Sequence, residues 1–229
     1  MAGALARHAA EGLAVGIADL TRGELSSNGT VEERLGESLQ AARILGVVLR
    51  ENLELPDGGL GGLLAPCGTA PAAPGGTSSV DLMRPIIEAI RRHRPRTVCV
   101  PYWQDRHPDH VAASRLLTEA AYRAGLSKWQ ADGDPFRPER VVYYFIHQSS
   151  QPSFVIDISP YFERKLEALQ AHRSQFEQTA DGAATPINDP RYLQGVEARD
   201  RYFGSLVGAR YAEGFVYQGV LALPSLTAL

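Results

Sequence analysis

The chain has 229 residues and a formal net charge of −3, with 44% hydrophobic and 21% charged residues. That is enough for one large domain, residues 1–229, with a sizeable core, and no single-sign run suggests a nucleic-acid partner. No apolar stretch approaches the roughly 20 residues that cross a bilayer, and the N-terminus lacks a signal-peptide core. The two cysteines, Cys67 and Cys99, make no disulfide framework. The expected compartment is reducing and cytoplasmic.

Leu5 to Glu11 reads as the end of an Ala-rich helix, with Gly12 as its stop. "LAVGIADL" is a strand candidate ending near Asp19. The polar loop "TRGELSSNGT" follows, and Thr30 with Glu33 makes a capping box for a helix running to Gly46. "VVLRENLEL" is the next strand, closed by the turn "PDGG". Ala65 to Thr77 is a Pro-, Gly- and Ala-rich loop. Asp81 to His93 is helical and is stopped by Pro95. "RTVCVPYW" is a short strand, and "HPDHVAASRLLTEAAYRAG" is a helix with Pro108 at its first turn. "RVVYYFIHQ" and "SFVIDIS" are further strands, and helices are expected over Tyr161–Gln178 and Glu197–Gly208.

Strands alternating with helices imply βαβ units, hence an α/β fold with a doubly wound, mostly parallel sheet and helices on both faces. Such a sheet normally begins with a strand. This chain begins inside a helix, so a first strand is expected to be missing. No G-x-G-x-x-G follows any strand, which disfavours dinucleotide binding.

The chemistry concentrates in "WQDRHPDHVAA", residues 103–113. In an open α/β sheet, ligands bind beyond the carboxyl ends of the strands, and this strand–loop–helix junction lies on that rim. His107 falls at the helix N-cap and His110 in the first turn. The positive end of the helix dipole favours the neutral imidazole that a metal needs at His110. Asp109 could hold a ring N–H of His107 and keep that imidazole cationic, or support a metal ligand from outside the metal's own shell. The plain alternative is a capping group with two surface histidines. A catalytic zinc takes about three protein ligands, and this segment supplies one or two. His8, His93 and His172 do not complete the set. His147 and Asp19 both end strands and could face the same crevice; a strand-end histidine and a turn-forming aspartate are the competing readings.

"DLTRGELSSNGT", "RENLELPD", "RHPDH", "PSFVIDIS", "HRSQF" and "YAEGF" resemble the LmbE-like (PIG-L) zinc deacetylases over nearly the whole chain. Within that family the bacillithiol-pathway N-acetylglucosaminyl-malate deacetylases resemble it most. The resemblance implies a Rossmann-like sheet holding one zinc, with His110 as a ligand and His107 and Asp109 in the chemistry. Arg106 and Arg50 are candidate binders for a substrate carboxylate such as that of malate, because a guanidinium matches one bidentately. For each the alternative is a surface ion pair. Asp57 resembles a sugar-hydroxyl acceptor, its alternative being a turn aspartate, and Tyr192 is a candidate to cover the site. Glu213 of "YAEGF" matches a position read as structural.

The family's remaining zinc ligands and its general-base aspartate come from an "HPDD"-type motif after a first strand, which would lie before Met1. Either the start lies upstream of Met1, the favoured expectation, or the chain is naturally short and metal-poor, a carbohydrate-binding or scaffold subunit. The partners expected are a small amino-sugar substrate and further copies of the chain, with the apolar tail "LALPSLTAL" able to pack on a neighbour. Neither nucleic acid nor membrane is expected.

Overall fold

A computed structural model describes residues 1–60, 79–178, 182–222 and 225. The loop expected over Ala65 to Thr77, with Cys67, lies outside them, as does most of the apolar tail. The described strands are β1 (Gly16–Asp19), β2 (Leu49–Asn52), β3 (Thr97–Pro101), β4 (Arg140–Tyr144), β5 (Phe154–Asp157) and β6 (Ala212–Val216). The helices are α1 (Ala2–Ala10), α2 (Val31–Leu45), α3 (Ser79–His93), α4 (Pro108–Arg123), α5 (Phe162–Gln170), α6 (Arg173–Phe176) and α7 (Pro190–Ser205).

The strands form two sheets. β1 pairs with β2 in parallel, Gly16 opposite Leu49 and Asp19 opposite Asn52. The second sheet has the order β3-β4-β6-β5. Its β3–β4 pair is parallel, whereas β6 runs antiparallel to both β4 and β5. Helices flank these sheets in a mixed α/β arrangement. α3 and α4 pack Met83, Ile86, Ile87 and Ile90 against Ala112, Ala113, Leu116 and Ala120. On α1, α2 and α5 the buried contacts are mostly alanines, Ala6, Ala41, Ala168 and Ala171, so these helices approach closely.

Several local rules hold. Thr30 accepts from Glu33 N while the Glu33 carboxylate accepts from Thr30 N, a complete capping box on α2. Gly46 closes the helix at φ 75°, where a side chain is strained. A Thr30→Ala protein is expected to lose about 1 kcal/mol of stability in denaturant unfolding; an unchanged midpoint would show the box to be dispensable.

Two expectations are revised, and two features were not foreseen. The helix foreseen over Tyr161–Gln178 breaks into a 3-10 turn at Ser159–Tyr161, α5 and the short α6, with His172 at the cap between them. The last helix starts earlier, at Pro190, because Asp189 caps it by accepting from Arg191 N. β6 was not expected; Gly214 in its middle lets the Phe203 ring of α7 press on the strand, 2.9 Å from where a Cβ would stand. α1 is not left uncapped. The Glu213 carboxylate on β6 accepts from Gly3 N at 3.2 Å and Ala4 N at 2.8 Å. Lys165 on α5 donates to Glu213 at 2.6 Å and to Asp200 on α7 at 2.6 Å, so one buried ammonium ties three elements together.

Candidate metal and substrate site

The parallel register of β3 and β4 sets Pro101 opposite Tyr144, and Tyr102 N extends the pairing to Tyr144 O. Both chains therefore leave the sheet at one edge. One leads through Asp105 into α4, the other to His147. His107 is the α4 N-cap at φ −90°, ψ 120°, with Pro108 behind it. Its Nδ1 accepts from the Asp109 backbone N–H at 3.2 Å. That bond leaves the ring proton of a neutral His107 on Nε2.

Three imidazoles stack along the rim. His107 and His110 have ring centres 4.7 Å apart, and His110 and His147 5.3 Å apart. Asp105, His110 and His147 each offer a ligand atom, and these atoms lie within 4.8 Å of one another. His110 Nδ1 is 3.1 Å from Asp105 Oδ1. Asp105 also accepts from His107 N at 2.9 Å, His147 N at 3.0 Å and Gln148 N at 3.5 Å.

The charges follow from this packing. Burial pushes the pKa values of His110 and His147 below the ordinary imidazole range, against the pull of Asp105. Burial works against the Asp105 anion, yet the amide donors of His107 and His147 and the His110 ring outweigh it and hold the carboxyl below its usual value. A carboxylate beside neutral imidazoles is a donor set that suits zinc or a similar divalent ion. The residues present fit such a metal through His110, with His147 beside it.

The other residues singled out in the sequence divide. Arg106 reaches His147 Nδ1 with its Nη2 at 3.4 Å. Tyr192 lies edge-on to His147 at 6.2 Å and to Phe176 at 5.9 Å, so α7 and α6 bring it to the histidines. The turn carrying Asp57 is also at hand, because Gly58 N donates to the Asp109 carboxylate at 2.8 Å. Asp57 itself accepts from Leu25 N and Thr21 Oγ1. Arg50 is held in a bidentate pair with Asp19 at 2.7 and 3.0 Å and donates to Ser38 O. No hydrogen bond among the described residues links Arg50 or Asp19 to the histidines. Sequence reading discounted His147 and overlooked Asp105. Spacing could not find His147, whereas an aspartate two residues before an N-cap histidine carried a readable turn signal.

The fold and the rim define the class: an α/β protein with a metal-competent histidine group at the carboxyl ends of its strands. Residues 1–121 match the family model for GlcNAc-PI de-N-acetylase, PIG-L, and the chain belongs to that family of enzymes. It is 31% identical over 202 residues to the diacetylchitobiose deacetylase of Thermococcus kodakarensis, covering 85% of this chain and 66% of that protein. It therefore spans just under two thirds of that relative. The conserved protein TT1542 from Thermus thermophilus superposes with a TM-score of 0.81 at 42% identity, covering 97% of this chain and 90% of that one. The N,N'-diacetylchitobiose deacetylase of Pyrococcus horikoshii shares the fold at a TM-score of 0.74, with 21% identity over 94% of this chain and 76% of its own. No helix among the described residues is long and apolar enough to cross a membrane.

Proposed function

We propose that the protein hydrolyses the N-acetyl group of an N-acetylglucosamine conjugate, with zinc as the metal and N-acetylglucosaminyl-malate of bacillithiol biosynthesis as the substrate. The observation that carries this reading is the rim cluster, in which His107, His110 and His147 stack beside Arg106 in a chain of the PIG-L family. His110 holds the metal. Bound there, zinc supplies Lewis acidity to the acetyl carbonyl and acidity to water. His107 presents its Nε2–H to the oxygen on which negative charge develops, and Asp109 fixes the ring through the backbone bond at Nδ1. To protonate the leaving amine, the same ring would first have to carry a second proton, at Nδ1 in place of the Asp109 backbone bond, and so act as an imidazolium. Arg106 takes the malate carboxylate, with Tyr192 and Asp57 bounding the sugar. Arg50 joins them only by giving up its pair with Asp19. The working enzyme is a cytoplasmic homo-oligomer.

The same reading makes the fold a Rossmann-like doubly wound sheet with one more parallel strand, between the free edges of β1 and β3. Its support is the division of the sheet: among the described residues β1 pairs with β2 alone and β3 with β4 alone. That strand would bring the remaining metal ligands and a carboxylate to take the proton from water. The test pairs the 229-residue form with an N-terminally extended one and assays zinc content and N-acetylglucosaminyl-malate deacetylation in both. Activity confined to the extended form is expected. Zinc and activity in neither would favour a carbohydrate-binding or scaffold role.

A further inference from the structure

The metal-competent group contains one residue that is ill suited to be a ligand. The Asp105 side chain is 3% exposed, and both of its oxygens are already engaged. Oδ1 accepts from His107 N and stands 3.1 Å from His110 Nδ1. Oδ2 accepts from His147 N and Gln148 N. A carboxylate offers about four lone-pair sites, and here four protein N–H groups can use them. A metal could take Asp105 only by breaking such bonds in a nearly buried place.

We infer that Asp105 is a positioning residue: it accepts the Nδ1–H of His110, which leaves His110 Nε2 as the bare lone pair facing away from it. Imidazole in its neutral form carries one ring proton, so fixing that proton on Nδ1 decides which nitrogen can bind a metal. The same carboxylate fastens the loop after β4 to the loop before α4. His147 is thereby set against His110 although it lies 37 positions further along the chain. This assignment rests on the proposed metal site for its purpose but not for its geometry.

The first experiment needs neither metal nor substitution. Long-range proton–nitrogen NMR on the metal-free protein reads the ring tautomers, and His110 is expected as the Nδ1–H form. His110 as the Nε2–H form overturns the assignment. The second experiment uses Asp105→Asn, which keeps the shape but sets an amide N–H₂ against donors. Zinc affinity, measured by chelator competition, is expected to fall about 10–100-fold. At saturating cobalt the visible spectrum should keep the wild-type ligand number. An unchanged zinc affinity sinks the inference. So does a cobalt spectrum that has lost one ligand, since Asp105 would then be bound to the metal itself. Nδ1–H His110 in a wild-type protein that binds no zinc even in its N-terminally extended form would instead refute the proposed function and leave Asp105 as the residue that positions His110. If Asp105→Asn fails to fold, the wild-type tautomer still decides.

Discussion

A His110→Ala protein is expected to lose its zinc, while a His107→Gln protein keeps it and loses turnover. The two rings are neighbours on one helical turn, 4.7 Å apart, yet their free nitrogens differ. His110 has Nδ1 committed to Asp105, so its open atom is Nε2, a lone pair. His107 has Nδ1 committed to the Asp109 backbone N–H, so its open atom carries a proton. One is built to bind a cation and the other to donate. Removing a ligand should cost zinc affinity more than the ~10–100-fold that follows loss of an outer partner. Removing the donor should cost about 10²–10⁴ in kcat with zinc content unchanged. Zinc analysis and turnover on both variants, in the active form of the protein, separate these outcomes. Full zinc and activity in His110→Ala would overturn the site.

The second large effect is structural. Lys165→Met is expected to destabilise the fold by about 3–5 kcal/mol, because it removes the ammonium that two buried carboxylates share. Lys165, Asp200 and Glu213 have side chains only 3%, 1% and 5% exposed. Burial opposes ionisation of Glu213, but Lys165, the Met1 ammonium and the Ala4 amide outweigh it and hold its carboxyl well below the usual range. Asp200 lacks that amide, and burial with the Glu213 charge nearby raises its pKa despite Lys165. The sign for pH follows. In the wild type the contribution of Glu213 is present above the ordinary carboxylate pKa and fades as pH falls through its lowered value. In Lys165→Met the Asp200 carboxyl, already pushed up by burial, should bind its proton more tightly folded than unfolded, so acidification adds stability and the deficit shrinks. Denaturant midpoints at neutral pH and near the ordinary carboxylate range test this. A loss under about 1 kcal/mol at neutral pH would show that the ammonium merely balances its own desolvation.

Local chemistry made most of the fold readable. The Thr30–Glu33 box, the stop at Gly46 and Pro108 behind His107 are interactions between residues near in sequence, and each stands as the sequence implied. β6 escaped because Ala212, Glu213 and Gly214 are poor strand formers. The glycine serves Phe203 and the glutamate serves α1, so tertiary contacts chose residues that strand propensity would reject. The site divides the same way. Arg106, His107, Asp109 and His110 are contiguous or nearly so and were legible. His147 reaches them through the β3–β4 register, and Tyr192 through the packing of α7, neither of which spacing encodes. For Arg50 an ion pair was the plainer alternative, but its partner Asp19 is supplied by the β1–β2 register and was not named by the sequence.

The carboxylate of Glu213 closing the N-terminal turn of α1 also bears on the order of assembly. The bonded partners are 210 and 209 positions apart. During synthesis from the N-terminus, α1 emerges long before β6, with its end amides open to water. Its clasp arrives only when the final strand leaves the ribosome. Contacts of such long range are slow to form and cannot nucleate folding. Closure of α1 against β6 therefore belongs to the last stage of folding, and a chain stopped short of residue 213 should keep the first helix labile to hydrogen exchange however well the middle strands have formed.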